Sequence, residues 1–436
     1  MSTGVERANE VVLGKITSCQ GCGASALEPV LDLGHHAPCD SLLTERMLSE
    51  PETHFPLVFC RCTSCGLAQL DYAAPPEVVF FPEYPYRTAM TGLLKEHFWS
   101  LTHDVTERLG LGADDLAIDI GSNDGTLLQG FQQEGVRVLG IEPTDIAKIA
   151  VENDVPTVQA FFSEEVAEQA RAEHGSASVV TGTNMFAHVN NLFPELRGVA
   201  TLIGDDGAFV SESHYLLNLI EELQYDTIYH EHLRFYSLKP MIEIFNRAGF
   251  SIFDVERVPT HGGSIRVWAD RGKRDVSPRV EELVRLEEEH GLYDGVAFDR
   301  FRQRIQDGKL RLLELLVEAR KEGPIVGLGA PGRASTLLAY TGVTPELVDS
   351  ICELTGSLKI GQYTPGTHIP IVDERTLYER QPPHVLVLSW HIGEAIMPKV
   401  RERGYRGKFI VPLPEPRVIG PQDASPLTQT RVREDP

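Results

Sequence analysis

Long apolar runs and positive charge are what this chain of 436 residues has least of. No apolar stretch approaches the ~20 residues that a membrane-crossing helix requires, so we expect no membrane association. Lysine and arginine number 40 against 63 acidic residues, and the formal net charge is −23. Binding a phosphate backbone requires clustered Lys and Arg, which are absent, so we expect no nucleic-acid partner. An anionic small molecule stays compatible with this charge, because backbone N–H groups and a few arginines can bind it locally.

Cysteine is missing from most of the chain. Of its 7 cysteines, six lie between Cys19 and Cys65, and the last is Cys352. The N-terminal segment MSTGVERANEVVLGK lacks the apolar region of a secretory signal, so we expect a cytoplasmic protein. Thiols stay reduced in that compartment, and the cluster therefore indicates metal ligation rather than disulfides.

Length and composition predict two or three globular domains, with hydrophobic residues at 42% and charged residues at 24%. From residue 92 onwards, helix and strand signals alternate, beginning with an amphipathic helix over 92–111. Alternating units of this kind imply an α/β fold with a doubly wound sheet. The first four predicted strands are 116–121, 137–143, 177–186 and 207–214.

The second half of the chain continues the α/β pattern. Residues 251–258 and 264–270 predict an antiparallel end to the first sheet. A charged helical connector is expected over 279–320, followed by a second α/β unit from residue 324. The tail after residue 418 is polar and contains proline, which predicts disorder.

Two CxxC motifs, CQGC and CTSC, frame the cysteine-rich segment. Each motif can place two thiolates on one metal ion, and two such turns complete a tetrahedral site. Four sulfur ligands leave no open coordination position, so the predicted zinc ion is structural rather than catalytic. The predicted ligands are Cys19, Cys22, Cys62 and Cys65.

Other potential ligands lie near these motifs. Cys39 and Cys60 are expected to be bystanders, and His35 and His36 are not needed once four thiolates are supplied. The alternative interpretation is two unrelated pairs of free thiols.

The segment IDIGSNDG follows a predicted strand and precedes a helix. Its two glycines allow a tight turn and close approach of a ligand to the backbone. A pyrophosphate requires the GxGxxG spacing, which is absent from this segment, whereas a thioether-linked nucleoside does not. The turn therefore favours S-adenosylmethionine over NAD. Its predicted cofactor contacts are Asp119, Gly121, Asn123 and Gly125.

The ends of the next strands supply further candidate contacts. Glu142 ends the second strand about twenty residues beyond the turn, where a carboxylate can accept both ribose hydroxyls. Asn184 and His188 follow the third strand, at the sheet edge where ligands bind. We expect Asn184 to contact the cofactor and His188 the substrate.

The segment YDTIYHEH ends in four successive groups able to exchange protons, Tyr229, His230, Glu231 and His232. Its histidines lack the spacing of the HExxH zinc proteases, which disfavours a metallohydrolase. The alternative is a polar surface loop. Because a cofactor turn lies upstream, we favour catalysis.

Five motifs follow one another along the chain: the CxxC pair, IDIGSNDGTLL, YDTIYHEHLRFYS, GLGAPGRASTLLAY and GQYTPGTHIPI. Their order resembles the sugar C-methyltransferase family of deoxysugar pathways. The resemblance extends from about Cys19 to Pro416. It implies a zinc-binding module (1–75), a Rossmann-like S-adenosylmethionine-dependent methyltransferase domain (76–300), a second Rossmann-like domain that binds a sugar nucleotide (301–418) and a disordered tail (419–436).

The resemblance also implies roles for individual residues. The four cysteines would bind zinc, and Gly121, Glu142 and Asn184 would hold S-adenosylmethionine. Tyr229, Glu231, His232 and His188 would line the reaction centre. An upstream tyrosine would join them, either Tyr84 or Tyr86, and we favour Tyr86.

The implied substrate is a nucleotide-linked (dTDP) 4-keto-6-deoxysugar of a natural-product pathway. Removing a proton next to its ketone makes carbon nucleophilic. We expect methylation at C-3, with C-5 as the alternative. His232 is the expected base and Tyr229 the alternative, while Glu231 would orient the histidine.

The C-terminal turn GLGAPGR is a weak dinucleotide signal. We expect it to bind no NAD and to hold the sugar nucleotide through Arg333 and the loop 363–368, or else its domain only caps the active-site cleft. A zinc-ribbon RNA methyltransferase and a non-catalytic sugar-nucleotide binder are the competing functions. The oligomeric state is open, with a monomer as the working expectation.

Overall fold

The structure is a computed structural model that describes residues 13–80, 92–421 and 423. These residues form an N-terminal sheet of 4 strands, a central sheet of 7 and a C-terminal sheet of 6. A further 2-stranded pair, β1 (Gly14–Lys15) with β5 (Tyr72–Ala73), closes the N-terminal module. This arrangement confirms the predicted fold class.

The N-terminal sheet has the order β11-β4-β3-β2. Gly23 and Gly66, which directly follow the two CxxC motifs, have φ of 80° and 85°, so each turn uses a conformation that favours glycine. One edge strand comes from much later in the chain, since Arg234 pairs with Gln69 in antiparallel register. The strands are β2 (Leu27–His36), β3 (Phe55–Cys62), β4 (Ala68–Leu70) and β11 (Arg234–Phe235).

The central sheet has the order β12-β13-β10-β9-β6-β7-β8. Every residue of β6 (LAIDI) is buried, as expected for an apolar strand covered on both faces. The parallel part runs from β8 to β10. β13 then pairs antiparallel with β10, and β12 pairs antiparallel with β13. The strands are β6 (Leu116–Ile120), β7 (Arg137–Ile141), β8 (Thr157–Val158), β9 (Ala177–Thr183), β10 (Ile203–His214), β12 (Ser251–Val258) and β13 (Ser264–Asp270).

Helices connect these strands and cover the sheet. Ser163 caps α5 by accepting a hydrogen bond from the Val166 N–H. Gly130 lets α2 and α3 approach closely, because a Cβ there would lie 2.2 Å from Thr102 Oγ1. The helices are α1 (Pro76–Val79), α2 (Gly92–Leu109), α3 (Thr126–Gln133), α4 (Ile146–Glu152), α5 (Glu164–His174), α6 (Leu192–Leu202), α7 (Leu216–Glu221) and α8 (Leu238–Arg247).

The predicted elements are present, with shifted ends. The first three predicted strands end one to three residues early, whereas β10 begins four residues before its prediction. The charged connector predicted over 279–320 is helical, and it consists of two helices, α9 (Pro278–Glu289) and α10 (Val296–Glu322). Gly291 and Gly295 between them have φ of 78° and 91°, which a right-handed helix does not accommodate.

The C-terminal sheet has the order β16-β15-β14-β17-β18-β19, with only β19 antiparallel to its neighbour. This is a second doubly wound arrangement centred on β14. Its strands are β14 (Ile325–Leu328), β15 (Ser350–Glu353), β16 (Ile371–Asp373), β17 (His384–Val387), β18 (Lys408–Val411) and β19 (Arg417–Ile419). Its helices are α11 (Arg333–Thr341), α12 (Arg375–Arg380) and α13 (Gly393–Glu402).

The chain divides into two compact units. The first comprises Met1–Asp32, Leu57–Leu219 and His230–Asp299, and the second Leu33–Pro56, Ile220–Tyr229 and Arg300–Pro436. Ile419 ends a strand, and most of the tail predicted to be disordered lies outside the described residues. Within the described part of the chain, none of the helices combines the length and apolar character needed to cross a bilayer.

The turn before α3 tolerates no side chain at its last position. Gly125 has φ of 79°, and a Cβ there would lie 2.9 Å from Val155. We expect Gly125→Ala to lower the free energy of unfolding by about 2–4 kcal/mol, through backbone strain and overpacking together.

Gly135→Ala is the matched control, because Gly135 has φ of 82° but nothing within 4 Å of its added Cβ. It should lose only the strain component, about 1–2 kcal/mol. Thermal unfolding of both variants without ligands measures the difference, and equal losses would show that Val155 imposes no constraint.

Candidate active site and metal centre

The two CxxC motifs bring four sulfur atoms together. The Sγ atoms of Cys19, Cys22, Cys62 and Cys65 all lie within 4.8 Å of one another. Across the motifs, Cys19 Sγ lies 3.6 Å from Cys65 Sγ and Cys22 Sγ lies 3.6 Å from Cys62 Sγ. Sulfur ligands at about 2.3 Å from a tetrahedral zinc are about 3.8 Å apart. The four thiols therefore fit a zinc ion.

The hydrogen bonds around Cys19 distinguish it from Cys60. Cys19 Sγ accepts from the Gly21 and Cys22 N–H groups at 3.4 and 3.5 Å. A hydrogen bond from Cys65 lowers the pKa of Cys19 to about 5, so a thiolate is favoured. Burial instead raises the pKa of Cys60 to about 12. His36, the buried histidine nearby, has its Nε2 2.9 Å from the Leu33 carbonyl.

The turn after β6 is tied to the end of β7. The Gly121 and Ser122 N–H groups donate to the Ile141 carbonyl at 2.8 and 3.2 Å. Asp119, the penultimate residue of β6, is buried in the core, where Thr181 Oγ1 donates to its Oδ1 at 2.6 Å. Burial raises the pKa of Asp119 to about 7. A buried carboxyl therefore lies just before the turn.

Glu142 is held in a single orientation by its neighbours. Its Oε1 accepts from the Thr144 N–H at 2.9 Å and from Thr144 Oγ1 at 2.6 Å. Its Oε2 accepts from the Asn123 N–H at 3.0 Å. A carboxylate oxygen has two lone pairs, so Oε2 retains one acceptor position. The geometry suits a ribose hydroxyl at that position.

The segment after β9 contacts the turn directly. A Cβ at Gly121 would lie 3.2 Å from Met185 Cβ. Asn184 has φ of 56°, and its N–H donates to the Glu212 carbonyl at 2.7 Å. The His188 N–H donates back to the Met185 carbonyl at 2.9 Å. This local turn therefore keeps His188 beside the residues that pack on the β6 turn.

His188 and His232 are in contact. Their ring centroids are 4.9 Å apart at 75°, and His214 lies 5.6 Å from His232. Burial, with His232 and Arg234 nearby, lowers the pKa of His188 well below its usual value. Its buried Nδ1 has no hydrogen-bond partner among the described residues. A neutral imidazole with an unsatisfied nitrogen is suited to binding a polar substrate group.

For the other predicted catalytic residues, the structure gives burial for Glu231 and Tyr229 only. Glu231 is buried and Tyr229 is half-buried, and the boundary between the two units falls between Tyr229 and His230. Tyr84 and Tyr86 lie outside the described residues.

Arg234 is a residue that sequence reasoning missed. It is 1% exposed, and its guanidinium donates to the Phe186 and Val189 carbonyls on either side of His188. Tyr236 OH also donates to the Phe186 carbonyl at 2.9 Å. The available signal was an arginine within the predominantly apolar run LRF, at a position where a strand would bury it.

The predicted sugar-nucleotide contacts of the C-terminal unit, Arg333 and the loop 363–368, bind carboxylates of the protein itself. The Arg333 guanidinium is buried and donates to the Asp226 carboxylate at 2.8 and 2.7 Å. This geometry argues against Arg333 as a sugar-nucleotide contact, because its donors are directed into the protein. In the loop 363–368, the Gly366 N–H donates to the Glu52 carboxylate at 2.9 Å.

Three family models match the chain in succession. They describe a proposed zinc binding domain over 19–80, a methyltransferase domain over 96–255 and a C-methyltransferase C-terminal domain over 259–414. The C-methyltransferase NovU of Streptomyces niveus is 34% identical over 413 residues, which cover 94% of this chain and 98% of NovU. The chain belongs to the sugar C-methyltransferase family.

Membership of the sugar C-methyltransferase family confirms the predicted enzyme class, a methyltransferase that uses S-adenosylmethionine and carries structural zinc. Among solved structures, magnesium protoporphyrin IX methyltransferase (ChlM) of Synechocystis PCC 6803 with bound SAM aligns with 41% of this chain and 79% of its own, at 14% identity and a TM-score of 0.32. The PH0226 protein of Pyrococcus horikoshii OT3 aligns with 42% of this chain and 94% of its own, at 12% identity and a TM-score of 0.34.

The cysteine geometry of this C-methyltransferase makes a direct prediction. Cys62→Ser should lose bound zinc and melt lower by about 10 °C or more, because serine is a poor zinc ligand and metal binding contributes to folding. Metal analysis and thermal unfolding measure both effects. Cys60→Ser, two residues away on the same strand, should retain one zinc ion per chain. Full zinc occupancy in Cys62→Ser would contradict the assignment.

Proposed function

We propose that this enzyme methylates C-3 of a dTDP-linked 4-keto-6-deoxysugar in the biosynthesis of a branched sugar of a natural product. The observation that carries the proposal is the pair of imidazoles, His188 and His232, 4.9 Å apart beside the β6 turn. Similarity to NovU, a C-methyltransferase, supports carbon as the acceptor. Alkylating carbon requires a carbanion equivalent, and a C–H next to a ketone is the accessible source.

The β6 turn and its neighbours form the proposed cofactor site. S-adenosylmethionine supplies an electrophilic methyl group carried on a sulfonium. Glu142 would accept a ribose hydroxyl at the second acceptor position of Oε2. Asn184, which follows β9, would contact the cofactor from the other side of the β6 turn. Asp119, Gly121, Asn123 and Gly125 would supply the close-packed backbone and the buried carboxyl of the turn.

His232 is the proposed base, with Tyr229 as the alternative. It would take the α-proton of the keto-sugar. Glu231, the buried residue that precedes it in the chain, would orient the imidazole and favour its charged form. His188, kept neutral by its lowered pKa, would hydrogen-bond the enolate oxygen through the unsatisfied Nδ1. This arrangement stabilises negative charge where it develops. Tyr86 would complete the reaction centre.

The site chemistry fits C-3 and C-5 alike, since both carbons lie α to a C-4 ketone. We take C-3 as the proposed position and C-5 as its alternative. The C-terminal unit would bind the nucleotide portion, with the loop 363–368 as the remaining candidate. A monomer is the proposed state.

Solvent hydrogen exchange tests the function. The zinc-loaded enzyme with S-adenosylhomocysteine should exchange the α-hydrogen of a dTDP-4-keto-6-deoxysugar with deuterium, read by NMR, and should methylate that carbon when S-adenosylmethionine is supplied. Which carbon exchanges distinguishes C-3 from C-5. His232→Asn should slow both reactions by about 10²–10⁴-fold.

His174→Asn on exposed α5 is the matched control and should react as the wild type does. If His232→Asn exchanges and methylates normally, His232 is not the base. If the wild-type enzyme neither exchanges nor methylates such sugars, the proposed substrate class is wrong.

Asp119 makes a prediction about pH. Its folded pKa of about 7 exceeds the ordinary value of 3.8, so the folded state binds the additional proton between these pH values. Stability should therefore fall as pH rises through this window and remain lowered above about pH 7. Asp119→Asn should raise the ligand-free melting temperature more at pH 8 than at pH 5, because only part of the loss is present at pH 5, and it should weaken S-adenosylhomocysteine binding.

Asp114→Asn, an exposed neighbour, is the control and should keep the wild-type pH dependence. Calorimetric melting at the two pH values and titration with S-adenosylhomocysteine measure the effects. An unchanged difference between pH 8 and pH 5 in Asp119→Asn would show that Asp119 does not titrate there.

A further inference from the structure

We propose that the glycine-rich turn of the C-terminal unit is a positioning device, in which α11 holds residues 225–228 and thereby fixes Tyr229. The catalytic role of Tyr229 is taken from the proposed function. The contacts that hold residues 225–228 all lie within the second unit. It assigns positioning roles to Asp226, Arg333 and Trp390.

The centre of this device is a fully paired carboxylate. Asp226 is 0% exposed, and Arg333 Nη2 donates to its Oδ1 at 2.7 Å. Its Oδ2 accepts from Arg333 Nε at 2.8 Å and from Trp390 Nε1 at 2.7 Å. The guanidinium also lies 4.9 Å from the Trp390 ring centroid. Three charge-assisted bonds from two rigid planar groups leave the carboxylate one orientation.

One face of α11 makes these contacts. Thr336 Oγ1 donates to the Ile228 carbonyl at 3.0 Å, and the Tyr340 ring lies 5.5 Å from that of Tyr225. Positions 333, 336 and 340 have the spacing i, i+3 and i+7, which places them on one side of a helix. They reach three of four successive residues, 225, 226 and 228. The next residue in the chain is Tyr229, so its backbone starts from a fixed point.

Carboxylates occupy the positions at which a nucleotide-binding turn would meet phosphate. The Ala330 N–H donates to Glu353 Oε2 at 2.6 Å. A Cβ at Gly332 would lie 3.0 Å from Asp40 Oδ2, so a carboxylate already faces the start of α11. A phosphate there would meet negative charge instead of open N–H groups. The turn is therefore built to hold protein rather than a dinucleotide.

A buried ion pair is a demanding means of holding two elements together, since desolvation opposes it. Its advantage over an apolar contact is a defined geometry. Proton transfer is sensitive to displacements of about 1 Å, which cost on the order of 10²-fold in rate. A rigid support for the segment that ends at Tyr229 therefore serves the proton-transfer role proposed for that residue.

Arg333→Lys and Trp390→Phe test the proposal. The first keeps the charge but loses the bidentate fork, and the second removes one N–H while keeping an aromatic ring. Both should increase amide hydrogen–deuterium exchange in peptides covering 224–232, and both should leave S-adenosylhomocysteine affinity within about twofold. kcat for methyl transfer should fall about tenfold or more, with KM for the sugar nucleotide nearly unchanged.

Arg375→Lys on exposed α12 is the control and should change none of these quantities. If Arg333→Lys does not fold, Trp390→Phe still supplies the test. Wild-type protection of 224–232 in the folded variants would overturn the proposal, as would a raised KM with unchanged kcat, which would restore Arg333 as a ligand contact. A wild-type enzyme inactive on keto-sugars would refute the proposed function, whereas the exchange data would still decide the positioning role.

Discussion

The buried guanidinium of Arg234 connects the parts of the first unit on which the site depends. A charged group that is 1% exposed must have its donors satisfied, and its partners come from two distant stretches of chain and from its own strand region. Nε donates to Tyr236 OH at 3.1 Å, Nη1 to Gln20 Oε1 at 2.9 Å, and Nη2 to the carbonyls around His188. Displacing any of these partners would leave one donor of the buried guanidinium without its acceptor.

This connection gives the zinc module a place in the site. Gln20 lies inside the first CxxC motif, and its N–H donates at 2.8 Å to Oε1 of Gln69, the residue of β4 that pairs with Arg234. The same motif also receives a hydrogen bond from Arg247 at the Gly21 carbonyl. A four-thiolate metal that shapes this turn therefore also determines where Gln20 meets Arg234. Structural zinc and the His188 segment belong to one hydrogen-bonded network, although the metal has no open position for chemistry.

What the sequence made predictable was local. The CxxC spacing, the two glycines of the β6 turn and the alternation of strands and helices each have a short-range physical cause, and the structure has these features. The helix break at Gly291 was missed because apolar periodicity resumes beyond it. The ion pairs were missed for another reason, since Arg333 and Asp226 are separated by 107 positions. No sequence feature near either residue indicates the other as its partner, and only the fold brings them together.

The two glycine-rich turns show how similar local geometry can serve different ends. In each, the first glycine after the strand, Gly121 or Gly329, donates to a carbonyl near the end of the next strand, Ile141 or Cys352. A later N–H donates to the acid near that strand end, Glu142 or Glu353. They differ in what meets the following helix. Asp40 faces the start of α11, and Arg333 in its first turn supplies a cation that pairs with Asp226. The start of α3 has no basic residue in its first turn, and Asp124 instead accepts from the Thr126 N–H at 3.2 Å, within the turn itself. A nucleoside without phosphates requires no cation there, so the β6 turn is compatible with S-adenosylmethionine, whereas the charges around α11 are already committed to the protein.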